Sequence, residues 1–180
     1  MSRQPLLHLL KAYAVKFPAE SSTVNELISF VEENEDCFER SLLKGHVTAS
    51  AWVIDQEKSA VLLIHHVKLD KWLQPGGHCD GDPNTLHVAA KECFEETGLQ
   101  TQPLSTEIFD VDIHAIPQRK DIHAHIHYDI RYLLQAMPGS EITASETETN
   151  QVLWVPMDDI SSYTTEDSIL RMLSKTAAYL

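Results

Sequence analysis

Three glutamates, Glu92, Glu95 and Glu96, are spaced so that a helix would bring their carboxylates to a common face. Like charges at these spacings weaken an isolated helix by about 0.2–0.5 kcal/mol per pair, so the cluster favours a bound cation. Hard oxygen donors suit Mg²⁺ or Mn²⁺. A solvated acidic helix face is the alternative interpretation. The preceding Gly76-Gly77 pair weakens it, because glycines let the backbone approach a ligand just before a helix N-terminus, where anions bind well.

The glutamates lie within residues 73–99, which the sequence predicts as a glycine loop followed by one helix. Asp82 is the predicted N-cap and Pro83 the first helical residue, since proline lacks the N–H that would have no partner there. Gly98 is the predicted left-handed C-cap. The helix has a predicted apolar face formed by Leu86, Ala89, Ala90, Cys93 and Thr97.

The same segment resembles a Nudix box, G-x5-E-x7-R-E-U-x-E-E-x-G-U, where U is aliphatic. Gly77 begins it, and the last nine residues, KECFEETGL, close it in the expected register. Two positions depart from the pattern. Pro83 replaces the first glutamate, although Asp80 and Asp82 are near enough in sequence to substitute. Lys91 replaces the arginine and keeps its charge without the planar, bidentate fork.

The resemblance implies an α/β fold, a Nudix-like α/β/α sandwich with a mixed sheet. It also implies metal-dependent hydrolysis of a pyrophosphate linkage in a nucleoside diphosphate linked to another moiety. The implied partner is therefore a small phosphorylated substrate, a nucleotide derivative. The implied catalytic residues are Glu92, Glu95 and Glu96, which with Gly76 bind Mg²⁺ or Mn²⁺. The implied substrate-binding residues are Gly76, Gly77, His78, Lys91, His125 and His127.

A general base is also expected, and the resemblance offers Glu95 or a loop glutamate for it. Glu146 and Glu148 precede the segment Trp154-Val155-Pro156, as an acidic loop residue does in many Nudix enzymes. A solvated acidic loop is an equal alternative for this second pair.

Two other functions are compatible with the resemblance. Isopentenyl-diphosphate isomerases share the fold, and their Gly-His dipeptide resembles Gly77-His78. The reactive cysteine of those isomerases falls at Gly76 in this alignment, however, and Cys79 is displaced from it by three residues. A non-catalytic Nudix-like ligand-binding module is the other alternative, and it ranks lower because such modules usually lose the box glutamates.

The rest of the chain predicts helices around a set of strands. Helices are predicted over residues 3–17, from the capping box Thr23-Val24-Asn25-Glu26 to about residue 36, and over 165–179. Strands are predicted at 46–55, 60–67, 108–116, 122–134 and 152–155. We expect a single domain, 1–180, with a helical extension at 1–44 and a Nudix core at 45–180. The extension either packs on the sheet or forms a homodimer interface.

Histidines and aspartates alternate along two of these strands. Asp110, Asp112 and His114 share one parity, and His123, His125, His127 and Asp129 share one parity on the next strand. A hairpin would gather them on one sheet face, which could be a polar surface, contact substrate phosphates or bind a transition metal. The resemblance to the isomerases implies a second metal site at His46, His78, His125 and His127, for Zn²⁺, Mn²⁺ or Fe²⁺.

Composition narrows the class of protein. The 180 residues are 43% hydrophobic and carry a formal net charge of −13, which argues against nucleic acid as the main partner. The three cysteines, Cys37, Cys79 and Cys93, show no disulfide spacing, which favours a reducing, cytoplasmic setting. No apolar run reaches the length of a membrane span, so we expect no membrane partner.

Overall fold

The computed structural model describes residues 2–67, 69–119, 123–143 and 149–180. The helices are α1 (Gln4–Lys16), α2 (Ser21–Glu33), α3 (Thr85–Thr97), α4 (Ile160–Tyr163) and α5 (Asp167–Thr176), with 3-10 turns at Pro18–Glu20 and Met157–Asp159. The strands are β1 (Gly45–Ile54), β2 (Ala60–His66), β3 (Lys71–Leu73), β4 (Gly76–His78), β5 (Thr101–Pro103), β6 (Asp110–Ile116), β7 (His125–Ala136) and β8 (Thr149–Pro156).

All eight strands join one mixed sheet built around β1. Strand β7 runs parallel to β1 over the full length of β1, from Gly45 opposite Ile126 to Ile54 opposite Gln135. The other pairings are antiparallel: β2 and β4 with β1, β5 and β6 with β7, and β3 and β8 with β2. The mixed sheet is therefore confirmed, and the sequence missed only the three-residue strands β3, β4 and β5.

Side chains of β1 alternate between two hydrophobic clusters, as the period of a strand requires. Val47 and Ala49 pack in a cluster with α1, α2 and α3, whereas Trp52 and Ile54 pack on the opposite face with α5. This arrangement confirms the α/β/α sandwich. Because Leu10 of α1 lies in the first cluster, the N-terminal extension packs on the sheet.

Helix α2 begins earlier than the capping-box pattern predicts. Its N-cap residue is Glu20, and no side chain caps its first turn. The 3-10 turn runs directly into the helix, and the Glu20 carboxylate instead accepts a hydrogen bond from the Tyr13 hydroxyl (2.6 Å) and pairs with Lys175. The predicted cap at Thr23 is therefore wrong.

No helix among the described residues is long and apolar enough to cross a membrane.

Candidate functional site

Helix α3 carries the box glutamates and begins two residues after the predicted start. Its N-cap is Asn84, whose side chain accepts a hydrogen bond from the His87 N–H (3.1 Å). Asp82 is not the cap of this helix: its carboxylate accepts from the Asn84 N–H (2.8 Å) in the turn before the helix and pairs with the His87 ring. Pro83 accordingly lies outside the helix. The C-cap prediction is confirmed, with Gly98 left-handed at φ 73°.

The buried face of α3 includes one of the glutamates. Ala89, Cys93 and Thr97 are buried as predicted, but Leu86 and Ala90 are only half-buried. Glu96 is 5% exposed, and its Oε2 accepts a hydrogen bond from the Gly76 N–H of β4 at 2.9 Å. Packing of α3 on the sheet thus holds one box carboxylate against the glycine strand.

The Glu92 carboxylate lies against the next residue of that strand. A Cβ built on Gly77 would overlap this carboxylate and come within 2.7 Å of its Cδ. Glycine is needed at this position because it leaves space for the Glu92 carboxylate, and not because the backbone adopts a positive φ. Glu92 and Glu96 both contact the Gly76-Gly77 pair, from which a ligand could be reached by backbone groups as well as carboxylates.

Glu95 has a different environment from the other two. Its side chain is 54% exposed and pairs with Lys91 Nζ at 3.1 Å. The same Nζ lies 3.0 Å from Glu92 Oε1, and hydrogen bonding to Glu92 raises the pKa of Lys91. Lys91 thus lies between two of the three glutamates as a permanent positive charge.

The two aspartates that precede α3 have partners outside the glutamate cluster. Asp80 forms a two-pronged ion pair with Arg40, whose hydrogen bonds lower the pKa of this carboxyl group. Asp82 is held by Asn84 and His87, as described above. Sequence reasoning missed Arg40, which lies in an irregular segment without a motif.

Four histidine rings gather at one end of the sheet. His46 on β1 pairs in register with His127 on β7, and their ring centroids lie 5.0 Å apart. The His46 ring also lies 4.9 Å from that of His125 and 5.0 Å from that of His78. The predicted hairpin of β6 and β7 is confirmed, and it places His114 opposite His127.

The structure excludes one histidine of the alternating series from this cluster. His123 lies before the start of β7 with an exposed side chain, although its carbonyl lies 2.8 Å from His125 Nδ1. His123, His125 and His127 are equivalent in the sequence pattern. His123 differs from the other two only because β7 begins after it, at His125.

Burial keeps three of the four clustered rings neutral. Desolvation lowers the pKa of His127 to about 2 and that of His78 to about 4, and it also lowers the pKa of His46. At neutral pH these rings therefore offer nitrogen lone pairs and N–H donors rather than positive charge.

The aspartates of the same face form a buried ionic network instead of a solvent-facing surface. Arg131 is buried between Asp110 (3.3 Å), Asp112 (3.3 Å) and Asp129 (2.8 Å). Asp110 also pairs with Arg171 (2.8 Å) and with Lys175 (2.6 Å) of α5. The sequence could have placed Arg131 on this face, because it shares the alternation of Asp129 along β7. No sequence pattern predicts that Arg171 and Lys175 of α5 also reach the network.

Glu146 and Glu148, the loop candidates for a general base, lie outside the described residues.

A family model described as the NUDIX domain matches residues 44–175, which is most of the chain. The chain therefore belongs to the NUDIX domain family, a class that its sheet, its box helix and its glycine strand had already indicated.

Among curated relatives, the chain is 26% identical over 91 residues to the putative mutator protein MutT4 of Mycobacterium tuberculosis, covering 51% of this chain and 35% of the relative. It is 36% identical over 62 residues to the phosphatase NudJ of Escherichia coli, covering 34% of this chain and 40% of the relative. The match thus spans well under half of each relative. A solved structure of a Caenorhabditis elegans Ap4A hydrolase shares the fold, with a TM-score of 0.59, 14% identity and coverage of 74% of this chain and 96% of that one.

Proposed function

We propose that this protein is a metal-dependent hydrolase that cleaves a pyrophosphate linkage in a nucleoside diphosphate linked to another moiety. The observation that carries the proposal is the convergence of Glu92 and Glu96 on Gly76-Gly77 within a chain of the NUDIX domain family. The family match supports pyrophosphate chemistry, and the carboxylates support its dependence on a divalent metal.

The donor set fits Mg²⁺ or Mn²⁺. Glu92 and Glu96 supply hard carboxylate oxygens, and the Gly76 carbonyl belongs to the strand that both glutamates contact. When bound, such an ion supplies charge that polarises the P–O bonds and lowers the pKa of an attacking water. Within the described part of the chain, Glu95 does not join Glu92 and Glu96 in a group of three converging ligand atoms. We therefore assign the metal chiefly to Glu92, Glu96 and Gly76.

The remaining residues of the box position the substrate and move protons. Lys91 can turn between its partner carboxylates and a substrate phosphate, because its stem is flexible and its side chain is 47% exposed. Glu95 is close to Lys91 and open to solvent, which suits a group that accepts the proton of a water. A glutamate of the segment that contains Glu146 and Glu148 is the alternative base.

An isomerase that uses a cysteine is disfavoured by the surroundings of Cys79. This thiol is 4% exposed, and burial raises its pKa above the ordinary value, so it is held as an unreactive thiol. Gly76 occupies the position that aligns with the isomerase cysteine and has no side chain. A non-catalytic module is disfavoured because the chain keeps the three box glutamates in ordered positions.

The experiment that tests the hydrolase compares three isosteric variants. Phosphate and pyrophosphate release are measured over a panel of nucleotide derivatives, including a dinucleoside polyphosphate, with Mg²⁺ or Mn²⁺. Glu92→Gln and Glu96→Gln are expected to lower kcat by about 100-fold or more, because a metal ion contributes several kcal/mol to transition-state stabilisation. Glu95→Gln is expected to reduce kcat less if a loop glutamate is the base, and by a comparable factor if Glu95 is.

Two results would contradict the proposal. One is near-normal turnover in a folded Glu96→Gln protein. The other is metal-independent turnover of every active substrate by the wild-type chain.

The chemical setting of this activity is also a proposal. Cys37, Cys79 and Cys93 are all free and buried, which supports a reducing compartment such as the cytoplasm. The net charge of −13 supports a small phosphorylated substrate over nucleic acid, and a homodimer stays a prediction.

A further inference from the structure

We propose that His46, His125 and His127 bind one divalent transition metal ion, Zn²⁺ in the first instance, at a site separate from the box glutamates. The candidate ligand atoms of these three residues all lie within 4.8 Å of one another, the one such group of three within the described part of the chain. The site joins two parallel strands, since His46 belongs to β1 and the other two residues belong to β7.

A buried imidazole without a partner points to a ligand in this cluster. His46 is 3% exposed, and neither of its ring nitrogens has a hydrogen-bond partner among the described residues. A buried polar group left unsatisfied is unfavourable, because it has lost its hydrogen bonds to water. Coordination by one ring nitrogen removes that cost for one of the two nitrogens, and His46 already lies beside the rings that would complete the site.

The other two residues direct ring nitrogens at the same point. His125 Nε2 and His127 Nε2 are 3.1 Å apart. Two ligands of a tetrahedral zinc ion, each about 2.0–2.1 Å from the metal, would lie about 3.3 Å apart. The separation in the structure is that of a hydrogen bond between the two rings, and it also matches shared coordination by these two nitrogens. The His46 nitrogen, within 4.8 Å of both, would move closer on binding.

A contact outside the cluster fixes the ring of His125 in the tautomer that coordination requires. Its Nδ1 lies 2.8 Å from the His123 carbonyl, so Nδ1–H donates to that oxygen and Nε2 keeps its lone pair. His114, opposite His127, is oriented in the same manner by Asp112 at 3.0 Å. His78 lies beside the three ligands, with its ring 5.2 Å from that of His127.

An anion site is the competing interpretation, and the charges disfavour it. The neighbouring cation, Arg40, is neutralised by its ion pair with Asp80. Imidazoles whose neighbouring cation is already paired bind a transition metal better than a phosphate.

The test uses full-length protein without a polyhistidine tag, stripped with EDTA and titrated with ZnCl₂. Bound zinc is quantified by elemental analysis, and melting is measured with and without zinc. The wild type is expected to bind one Zn²⁺ per chain with a raised Tm. The double variant His125→Ala, His127→Ala is expected to lose more than about tenfold in affinity. The matched control His123→Ala removes an exposed ring of the same segment, keeps the carbonyl that orients His125, and is expected to bind zinc normally.

A second control separates this site from the box. The double variant Glu92→Gln, Glu96→Gln is expected to bind zinc as the wild type does. Loss of hydrolysis in this variant would therefore not contradict the histidine site. If the His125, His127 double variant is unfolded in EDTA, His127→Gln, which retains size and polarity, carries the same expectation.

Three results would overturn the proposal. Wild-type protein could fail to take up stoichiometric zinc, or the histidine variants could bind it as tightly as the wild type. Inorganic pyrophosphate could instead bind the metal-free wild type and not the histidine double variant, which would make the cluster an anion site.

Discussion

Gly77→Ala is expected to abolish most activity while leaving the fold intact. The added Cβ would lie 2.7 Å from the Glu92 Cδ, against an ordinary contact of 3.4 Å or more, so the carboxyl group must retreat by at least about 0.7 Å (3.4 − 2.7). A displacement near 1 Å in a catalytic constellation costs about 100-fold in rate. We therefore expect kcat/KM to fall by about that factor, equivalent to about 2.7 kcal/mol of transition-state stabilisation.

Gly76→Ala is the matched comparison and is expected to act on stability. Its added Cβ would come within 2.7 Å of both the Ala49 carbonyl oxygen and the Ser50 Cα, which are backbone atoms of the paired strand β1. A side-chain end can turn away from a new methyl group, but a paired strand cannot. We expect Gly76→Ala to lose about 1–3 kcal/mol of unfolding free energy. Gly77→Ala should stay within about 1 kcal/mol of the wild type.

Urea unfolding and hydrolysis of the best panel substrate with Mg²⁺ measure the two effects on the same preparations. Wild-type turnover in Gly77→Ala would refute the assignment of Glu92 to the metal. A Gly77→Ala protein less stable than Gly76→Ala would refute the packing of β4 against β1 and α3.

Asp110→Asn should lower the unfolding free energy in urea by about 3–5 kcal/mol, because Asp110 is fully buried among Arg131, Arg171 and Lys175, which would lose their shared carboxylate. Asp80→Asn removes an exposed ion pair with Arg40 and should lower the unfolding free energy by less than about 1 kcal/mol. Burial alone would raise the pKa of Asp112, but its hydrogen bonds and cationic neighbours hold that pKa well below the ordinary value. Its stabilising contribution is therefore complete above the unfolded pKa of about 3.9 and lost as pH falls below it, so acid titration of Asp112→Asn should show a shallower loss of stability. Asn84→Ala should cost about 1 kcal/mol in thermal or urea unfolding, whereas Asn84→Asp should keep the cap and most of the stability.

Local patterns predicted the central strands and the end of the box helix but not the beginnings of α2 and α3. β-rich runs over 46–55 and 60–67 identified β1 and β2, and both strands are almost wholly buried in the centre of the sheet. The N-cap of α2 lies three residues before the predicted Thr23, because the 3-10 turn runs directly into the helix. The N-cap of α3 lies two residues after the predicted Asp82, whose carboxylate takes part in the preceding turn. The division into a helical extension and a core stays a prediction.

The sequence by itself determined which chemical groups the protein carries and their order. The box glutamates, the glycine pair and the alternating histidines are local features that depend on spacing within one helix or strand. Tertiary structure decided which of these groups act together. Packing of α3 buries Glu96 against Gly76 and leaves Glu95 in solvent, and the register of β1 with β7 sets His46 beside His127. The parallel pairing joins residues about 80 positions apart, a contact that no local pattern specifies.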